Sequence, residues 1–189
     1  MSMDLPITRL HLDQWDRPAD EIDRTLLSLC AGPTLDVGCG PGRLTAALAE
    51  QGAVVLGIDV VNGAVGRTRR RGGAALHRDV FDSIPGEGRW ETALLADGNV
   101  GIGGDPVALL QRLREVLDPR GRVVAEVAAP GTPPTNDWAT LECGVEHLVV
   151  RWSVVGIEDI AGIAAQAGLA VVEQVQAGER WFAVLEEAA

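Results

Sequence analysis

Residues 34–52 read TLDVGCGPGRLTAALAEQG. An apolar run, Thr34–Val37, meets three glycines, Gly38, Gly40 and Gly42. A helical pattern over residues 43–51 follows, with Leu44, Ala47 and Leu48 on one face and Gly52 as its stop. Glycine loses more entropy on ordering than any other residue, so this clustering marks a place where the backbone must be bare. The helix after the turn presents unpaired N–H groups and the positive end of its dipole. Such a site suits a nucleotide-like molecule with a polar or negatively charged part.

Outward from this turn, strands and helices alternate. Residues 53–60 (AVVLGIDV) form a β-branched, buried strand. Residues 62–71 are a weaker helix stopped by Gly72 and Gly73, and residues 74–80 and 89–95 are further strands. Asp105 and Pro106 start a helix to about residue 117, as N-cap and first helical position. Residues 119–121 make a turn and residues 122–128 a fifth strand. Upstream, residues 19–30 are helical, with an acidic start, and end at Gly32-Pro33. Downstream lie a helix (157–166) and two strands (169–176 and 180–185) around a turn of hairpin length. The pattern predicts an α/β fold with a Rossmann-like, seven-stranded, mostly parallel sheet, helices on both faces and an antiparallel terminal hairpin. Residues 129–155 are the irregular part: a proline-rich opening, APGTPPTND, and then a stretch that alternates in places, as two short strands would. We divide the chain into an N-terminal arm and helix (1–32), which can fold over the site as a lid, and a main domain (33–189). Residues 129–155 would be a substrate-side insertion in that domain.

With 189 residues, 47% of them hydrophobic, the chain can bury a core. No apolar run approaches the roughly 20 residues that span a bilayer, and the acidic N-terminus has no secretory pattern. Cys30, Cys39 and Cys143 form no C-x-x-C pair and read as reduced thiols, which points to the cytoplasm. The formal net charge of −11 repels phosphate backbones and argues against nucleic acid. The one basic run, RTRRR at residues 67–71, reads as a solvated helix end. No membrane partner and no metal is expected; a monomer and a homodimer both fit.

Two cofactor classes use such a glycine turn. Dinucleotides favour G-x-G-x-x-G, but here the third glycine comes one place early and Arg43 stands where it is expected. The stretch LDVGCGPGRLTAALAEQG, with VVLGID after it, closely resembles the first two motifs of class I S-adenosylmethionine-dependent methyltransferases. HRDVFD, LLADGNV and DPVALLQRLREVLDPRGRVVAEV resemble the later segments of that family, as does the terminal hairpin. The resemblance is specific over residues 33–128 and weaker over 156–186.

The resemblance implies S-adenosylmethionine as cofactor and S-adenosylhomocysteine as product. Gly38, Cys39, Gly40 and Gly42 would lie against the methionyl part, with Cys39 a small filler rather than a nucleophile. Asp36 would hold the ammonium group, directly or through water, and a backbone carbonyl of Ala96 or Asp97 would complete that site. Asp59 would accept from both ribose hydroxyls, since a carboxylate has two acceptor oxygens and no donor. Asp79 would accept from the adenine amino group, with the Val80 backbone nearby and Val60 and Phe81 as apolar walls for the ring. The absence of an Asn-Pro-Pro-Tyr type motif after the fourth strand, where DGNVGIGG stands, favours a small-molecule acceptor.

An oxygen acceptor can need a base, whereas a carboxylate or an unprotonated amine need not. The candidates for acceptor chemistry are His147 in the irregular segment and Asp97 and Asn99 past the fourth strand. His77 reads as packed or surface, and His11 lies in the arm. Trp15, Trp138 and Trp152 are candidate wall aromatics, and Arg151 can meet an acidic acceptor. Two rivals stay open: a nicotinamide-dependent oxidoreductase, and a methyltransferase-like protein that binds without turnover.

Overall fold

Every side chain of TLDV is buried, because this strand lies inside a sheet covered on both faces. A computed structural model describes residues 8–188. Its strands are β1 (Thr8–His11), β2 (Thr34–Val37), β3 (Val55–Asp59), β4 (Ala75–His77), β5 (Trp90–Leu95), β6 (Leu117–Val127), β7 (Thr135–Cys143), β8 (Glu146–Val154), β9 (Leu169–Ala177) and β10 (Arg180–Glu187). Its α-helices are α1 (Glu21–Ser28), α2 (Arg43–Glu50), α3 (Asn62–Arg70), α4 (Pro106–Val116) and α5 (Ile160–Gln166).

Seven strands form one sheet in the order β4-β3-β2-β5-β6-β10-β9. All neighbours are parallel except β10, which runs antiparallel to both β6 and β9. The predicted seven-stranded sheet with its terminal hairpin is therefore present. The chain leaves β2 in one direction and returns to β5 on its other side, so the topological switch point lies between β2 and β5. Open α/β sheets bind ligands at that point, beyond the carboxyl ends of the strands.

Alternation along the strands splits the core into two layers. Leu95, Val123, Ala125 and Leu185 face Leu109, Leu113 and Ile160 of α4 and α5. Leu94, Val124, Phe182 and Val184 face Leu26 and Leu27 of α1 and Leu44 and Leu48 of α2. Helix α1 is thus built into the main core, while the described residues Thr8–Trp15 before it lie on the cavity side. A reciprocal cap starts α1: Asp20 accepts from the Asp23 N–H at 2.8 Å and Asp23 accepts from the Asp20 N–H at 3.1 Å. Asp105 caps α4 by accepting from the Ala108 N–H at 3.0 Å.

The described structure departs from the sequence reading in three places. The fifth predicted strand begins at Leu117, not residue 122, because the expected turn is absorbed as an irregularity between the pairs Trp90–Leu117 and Thr92–Arg122. The two strands expected in residues 129–155 are present but longer than the short ones anticipated: β7 and β8 have nine residues each and pair from Thr135–Val154 to Cys143–Glu146. An unpredicted strand, β1, joins this hairpin in parallel through Thr8–Ala139 to His11–Glu142. The resulting three-stranded sheet sits as a roof over the switch point.

Charge and close approach fasten that roof. Arg67 pairs with Asp13 and Asp16, and Arg71 with Asp16, so part of the basic run on α3 grips the acidic turn after β1. On the far side, a Cβ on Gly101 would lie 1.8 Å from the Ser153 carbonyl oxygen, which only glycine avoids. Ser153 Oγ donates to the Gly104 carbonyl at 2.9 Å and Asn136 Nδ2 to the same oxygen at 2.6 Å. The glycines of GNVGIGG thus let β8 dock.

Candidate active site

A cavity of about 360 Å³ lies between the carboxyl ends of β2–β5 and the roof. Its floor comes from Gly38, Cys39, Gly40 and Pro41, from Asp59 and Val60 after β3, from Asp79, Val80 and Phe81 after β4, and from Asp97 and Asn99 after β5. Its roof comes from Leu12 and Trp15, and from Trp138, Leu141 and residues 149–152 of the hairpin.

Asp59 does more than end a strand. Its Oδ2 accepts from the Gly40 N–H at 2.9 Å and its Oδ1 from the Val61 N–H at 2.8 Å. The carboxylate therefore braces the glycine turn while lining the cavity. Burial raises its pKa, and the N–H groups of Val61 and Gly40 act against that rise. A carboxylate offers about four lone-pair sites, so these two bonds leave capacity for a diol. Asp79 is exposed at the rim, where its Oδ1 accepts from the Phe81 N–H at 3.0 Å.

Gly42 lies behind the turn and does not line the cavity. It caps α2 with φ of 86°, and a Cβ there would meet the Thr68 Cα at 2.7 Å. Asn99 donates its amide to the carbonyls of Val37 at 2.8 Å and Gly38 at 2.9 Å. An amide is no base, and here it holds the turn from the β5 side. Cys39 is buried, and burial pushes its thiol well above the usual range, which fits a filler and not a nucleophile.

Two residues expected at the ammonium end do not reach the cavity. Ala96 is buried beneath it, and its carbonyl closes a turn by accepting from the Asn99 N–H at 2.9 Å. Asp36 is buried one layer below, where Thr45 Oγ1 donates to it at 2.6 Å. Burial raises the Asp36 carboxyl to about 6, against the Thr45 hydrogen bond. The folded protein therefore holds this proton above the pH at which the unfolded chain has lost it. Stability from this group falls as pH rises from about 4 to about 6 and is level above that. Asp36→Asn, which cannot ionise, is expected to lack this slope and to be more stable at pH 8 by about 1–3 kcal/mol. Thermal melts of both proteins between pH 4 and 8 test this; parallel curves would contradict it.

Arg43, in the place of a dinucleotide motif's third glycine, organises a charge ladder that the sequence does not announce. It is buried, and its Nη1 and Nη2 donate to Asp97 Oδ2 and Oδ1 at 2.7 and 2.8 Å. Its Nε and Nη2 donate to Asp23 Oδ2 and Oδ1, both at 3.1 Å. Arg180 continues the ladder, donating to Asp23 Oδ1 at 2.7 Å and to both Glu126 oxygens at 2.7 Å. Glu126 Oε2 in turn accepts from the Asp97 N–H at 2.7 Å. Asp97 thus has both its side chain and its N–H held, at a φ of 54° that side chains rarely adopt. Burial alone would raise the Asp23 carboxyl, but Arg43 and Arg180 outweigh it and hold it well below the usual range. Asp97 stays raised by burial, with Arg43 acting against the rise.

The histidines do not reach the site. His147 lies on β8 with its side chain 58% exposed, 3.7 Å from Glu142, and does not line the cavity. That corrects its candidacy as a base. His11 also pairs with Glu142, at 2.8 Å, and His77 Nε2 lies 2.9 Å from the Val60 carbonyl. Trp15, Trp138, Trp152 and Arg151 do line the cavity.

A family profile described as a methyltransferase domain matches residues 11–174. The chain belongs to this family and is a class I S-adenosylmethionine-dependent methyltransferase. Its fold is similar to that of a SAM-dependent methyltransferase from Bacteroides fragilis solved with S-adenosyl-L-homocysteine. That pair has a TM-score of 0.76 and 22% identity, covering 94% of this chain and 81% of the other. The CcbJ methyltransferase of Streptomyces caelestis has a TM-score of 0.71 at 19% identity, covering 94% of this chain and 95% of its own. The Burkholderia thailandensis 1,6-didemethyltoxoflavin-N1-methyltransferase, solved with 1,6-didemethyltoxoflavin and S-adenosylhomocysteine, has a TM-score of 0.67. It is 21% identical, covering 94% of this chain and 82% of its own. Comparison with curated proteins gives no match.

Proposed function

We propose that the protein transfers a methyl group from S-adenosylmethionine, by in-line displacement, to a small-molecule acceptor held under the β1–β7–β8 roof. The observation that carries this is Asp59 and Asp79 at successive strand ends of one cavity, with Asp59 also bracing the glycine turn through Gly40. The residues present fit the cofactor. A Cβ on Gly40 would meet no protein atom within 4 Å, so that part of the turn borders open space. Asp59 has lone pairs left for two ribose hydroxyls. Asp79 would accept from the adenine amino group, and Val60, Val80 and Phe81, which line the cavity beside it, would flank the ring. At the other end, Asp97 at the cavity and Asp36 beneath it supply negative charge for an ammonium group. S-adenosylmethionine brings a methyl group already activated by its sulfonium.

What the chain must add is alignment and a dry site. Leu12, Trp15 and the hairpin close the cavity from above. Its titratable side chains, among the described residues, are Arg43, Arg78, Arg151, Asp59, Asp79, Asp97 and Cys39. Asp59, Asp79 and Asp97 already accept protein hydrogen bonds, and the Cys39 thiol is pushed upward. We therefore propose an acceptor whose nucleophilic atom carries a free lone pair without help from a base. Asp97 and Asn99 border the space where it would sit.

The chain's net charge of −11 disfavours nucleic acid as the acceptor. No described helix is long and apolar enough to cross a membrane. Three free cysteines, Cys39 and Cys143 of them buried, support a cytoplasmic setting. Incubation with methyl-labelled S-adenosylmethionine and pooled small molecules, proteins or RNA tests the acceptor class. Label in the small-molecule fraction is expected; label only in protein or RNA would contradict it.

A further inference from the structure

Building on methyl transfer to a small acceptor, we propose that the acceptor is a planar aromatic acid whose carboxylate pairs with Arg151 on the roof. Arg151 lies on β8 and lines the cavity. Its guanidinium stands over the Trp138 ring, 5.2 Å from the centroid. Its Nη2 donates to the Asn136 carbonyl at 3.3 Å and to Asn136 Oδ1. Neither acceptor carries a charge, and no carboxylate of the described residues pairs with Arg151. Nε and Nη1 are without a hydrogen-bond partner among the described residues. A guanidinium presents five donors in a planar fork suited to a carboxylate, so most of this fork is free.

The contrast with Arg43 is direct. Both arginines line the cavity, but Arg43 is spent on Asp23 and Asp97. The chain carries 27 acidic residues against 16 basic ones, yet the roof residues sharing the cavity with Arg151 are uncharged: Trp138, Leu141, Val149, Val150 and Trp152. A cation without a counter-ion, beside the Trp138 indole, selects an anionic plane: the acid meets the fork and the ring packs on the apolar roof. Arg78 is the other cavity arginine without an acidic partner among the described residues. It precedes Asp79 and so flanks the adenosyl end of the proposed site.

The acid anchor is separable from cofactor binding. Protein loaded with S-adenosylhomocysteine is titrated by calorimetry with 4-aminobenzoate, anthranilate, indole-2-carboxylate and quinoline-2-carboxylate, each against its own carboxamide. At least one acid is expected to bind about tenfold or more tighter than its amide, the size of a charge-assisted pair. Arg151→Gln should bring that ratio to within about twofold, while Arg151→Lys keeps part of it. S-adenosylhomocysteine affinity, measured first on each protein, should be the same in all three. Equal binding of acids and amides, no binding by any acid, or a preference that survives in Arg151→Gln would overturn the proposal. Failure of the wild type to take S-adenosylhomocysteine would instead overturn the methyltransferase reading beneath it.

Discussion

Asp59→Ala is expected to weaken S-adenosylhomocysteine binding by about a hundredfold or more. Two hydrogen bonds from ribose hydroxyls to a carboxylate contribute about 1.5–3 kcal/mol each, and 1.4 kcal/mol is a factor of ten. The same substitution frees the N–H groups of Gly40 and Val61, which the carboxylate holds at 2.9 and 2.8 Å, so the turn loses its brace as well. Asp59→Asn should fall between the two, because one amide oxygen can still accept while the NH₂ group faces a backbone donor. Calorimetric titration of the three proteins checks this, with thermal melts to separate loss of ligand contact from loss of fold. An affinity within about threefold of wild type for Asp59→Ala would remove ribose recognition from this residue.

Arg43→Met is expected to be the most destabilising single change at the site. It removes the bidentate partner of Asp97 and one of the partners of Asp23, whose side chain is fully buried. Breaking a buried pair by deleting one member typically costs about 3–5 kcal/mol, because the remaining charge is stranded. For a chain of this size that lowers the melting temperature by roughly 10 °C. If stranded charge is the cause, adding Asp97→Asn should recover part of the loss, so the double variant melts higher than Arg43→Met alone. A double variant that melts lower by the sum of the two single effects would show that the pair is not coupled. Cofactor affinity should also drop in Arg43→Met, since Asp97 then loses the bidentate contact that helps to hold it at positive φ.

Local signals in the sequence carry far here because the seven-stranded sheet is built from short, punctuated elements. The run at residues 34–37, the Asp105-Pro106 start of α4 and the glycine stops each act through neighbouring residues, and their elements appear within a few positions of where they were expected. What the sequence conceals depends on partners far along the chain. Strand β1 is four residues long and exists only through pairing with residues 139–142. Arg43 reads as an interrupted glycine motif, because Asp23, Asp97, Glu126 and Arg180 converge on its ladder only after folding. His147 lies in the segment that does form the roof, but the pairing that sets Glu142 opposite it keeps its exposed ring beside Glu142 instead of in the cavity. Asp36 has the expected type and position, yet strand alternation and Thr45 turn its carboxylate beneath the floor. The glycine turn and the strand-end acids Asp59 and Asp79 were legible because each follows directly from its own strand.

In the proposed function the glycine turn and Asp59 form an adenosyl site for a methyl donor. Titrating the wild-type protein by calorimetry with S-adenosylmethionine, S-adenosylhomocysteine and NAD tests it most directly. Saturable one-to-one binding of the first two is expected, with none of NAD at the same concentrations. Binding of NAD alone would contradict it.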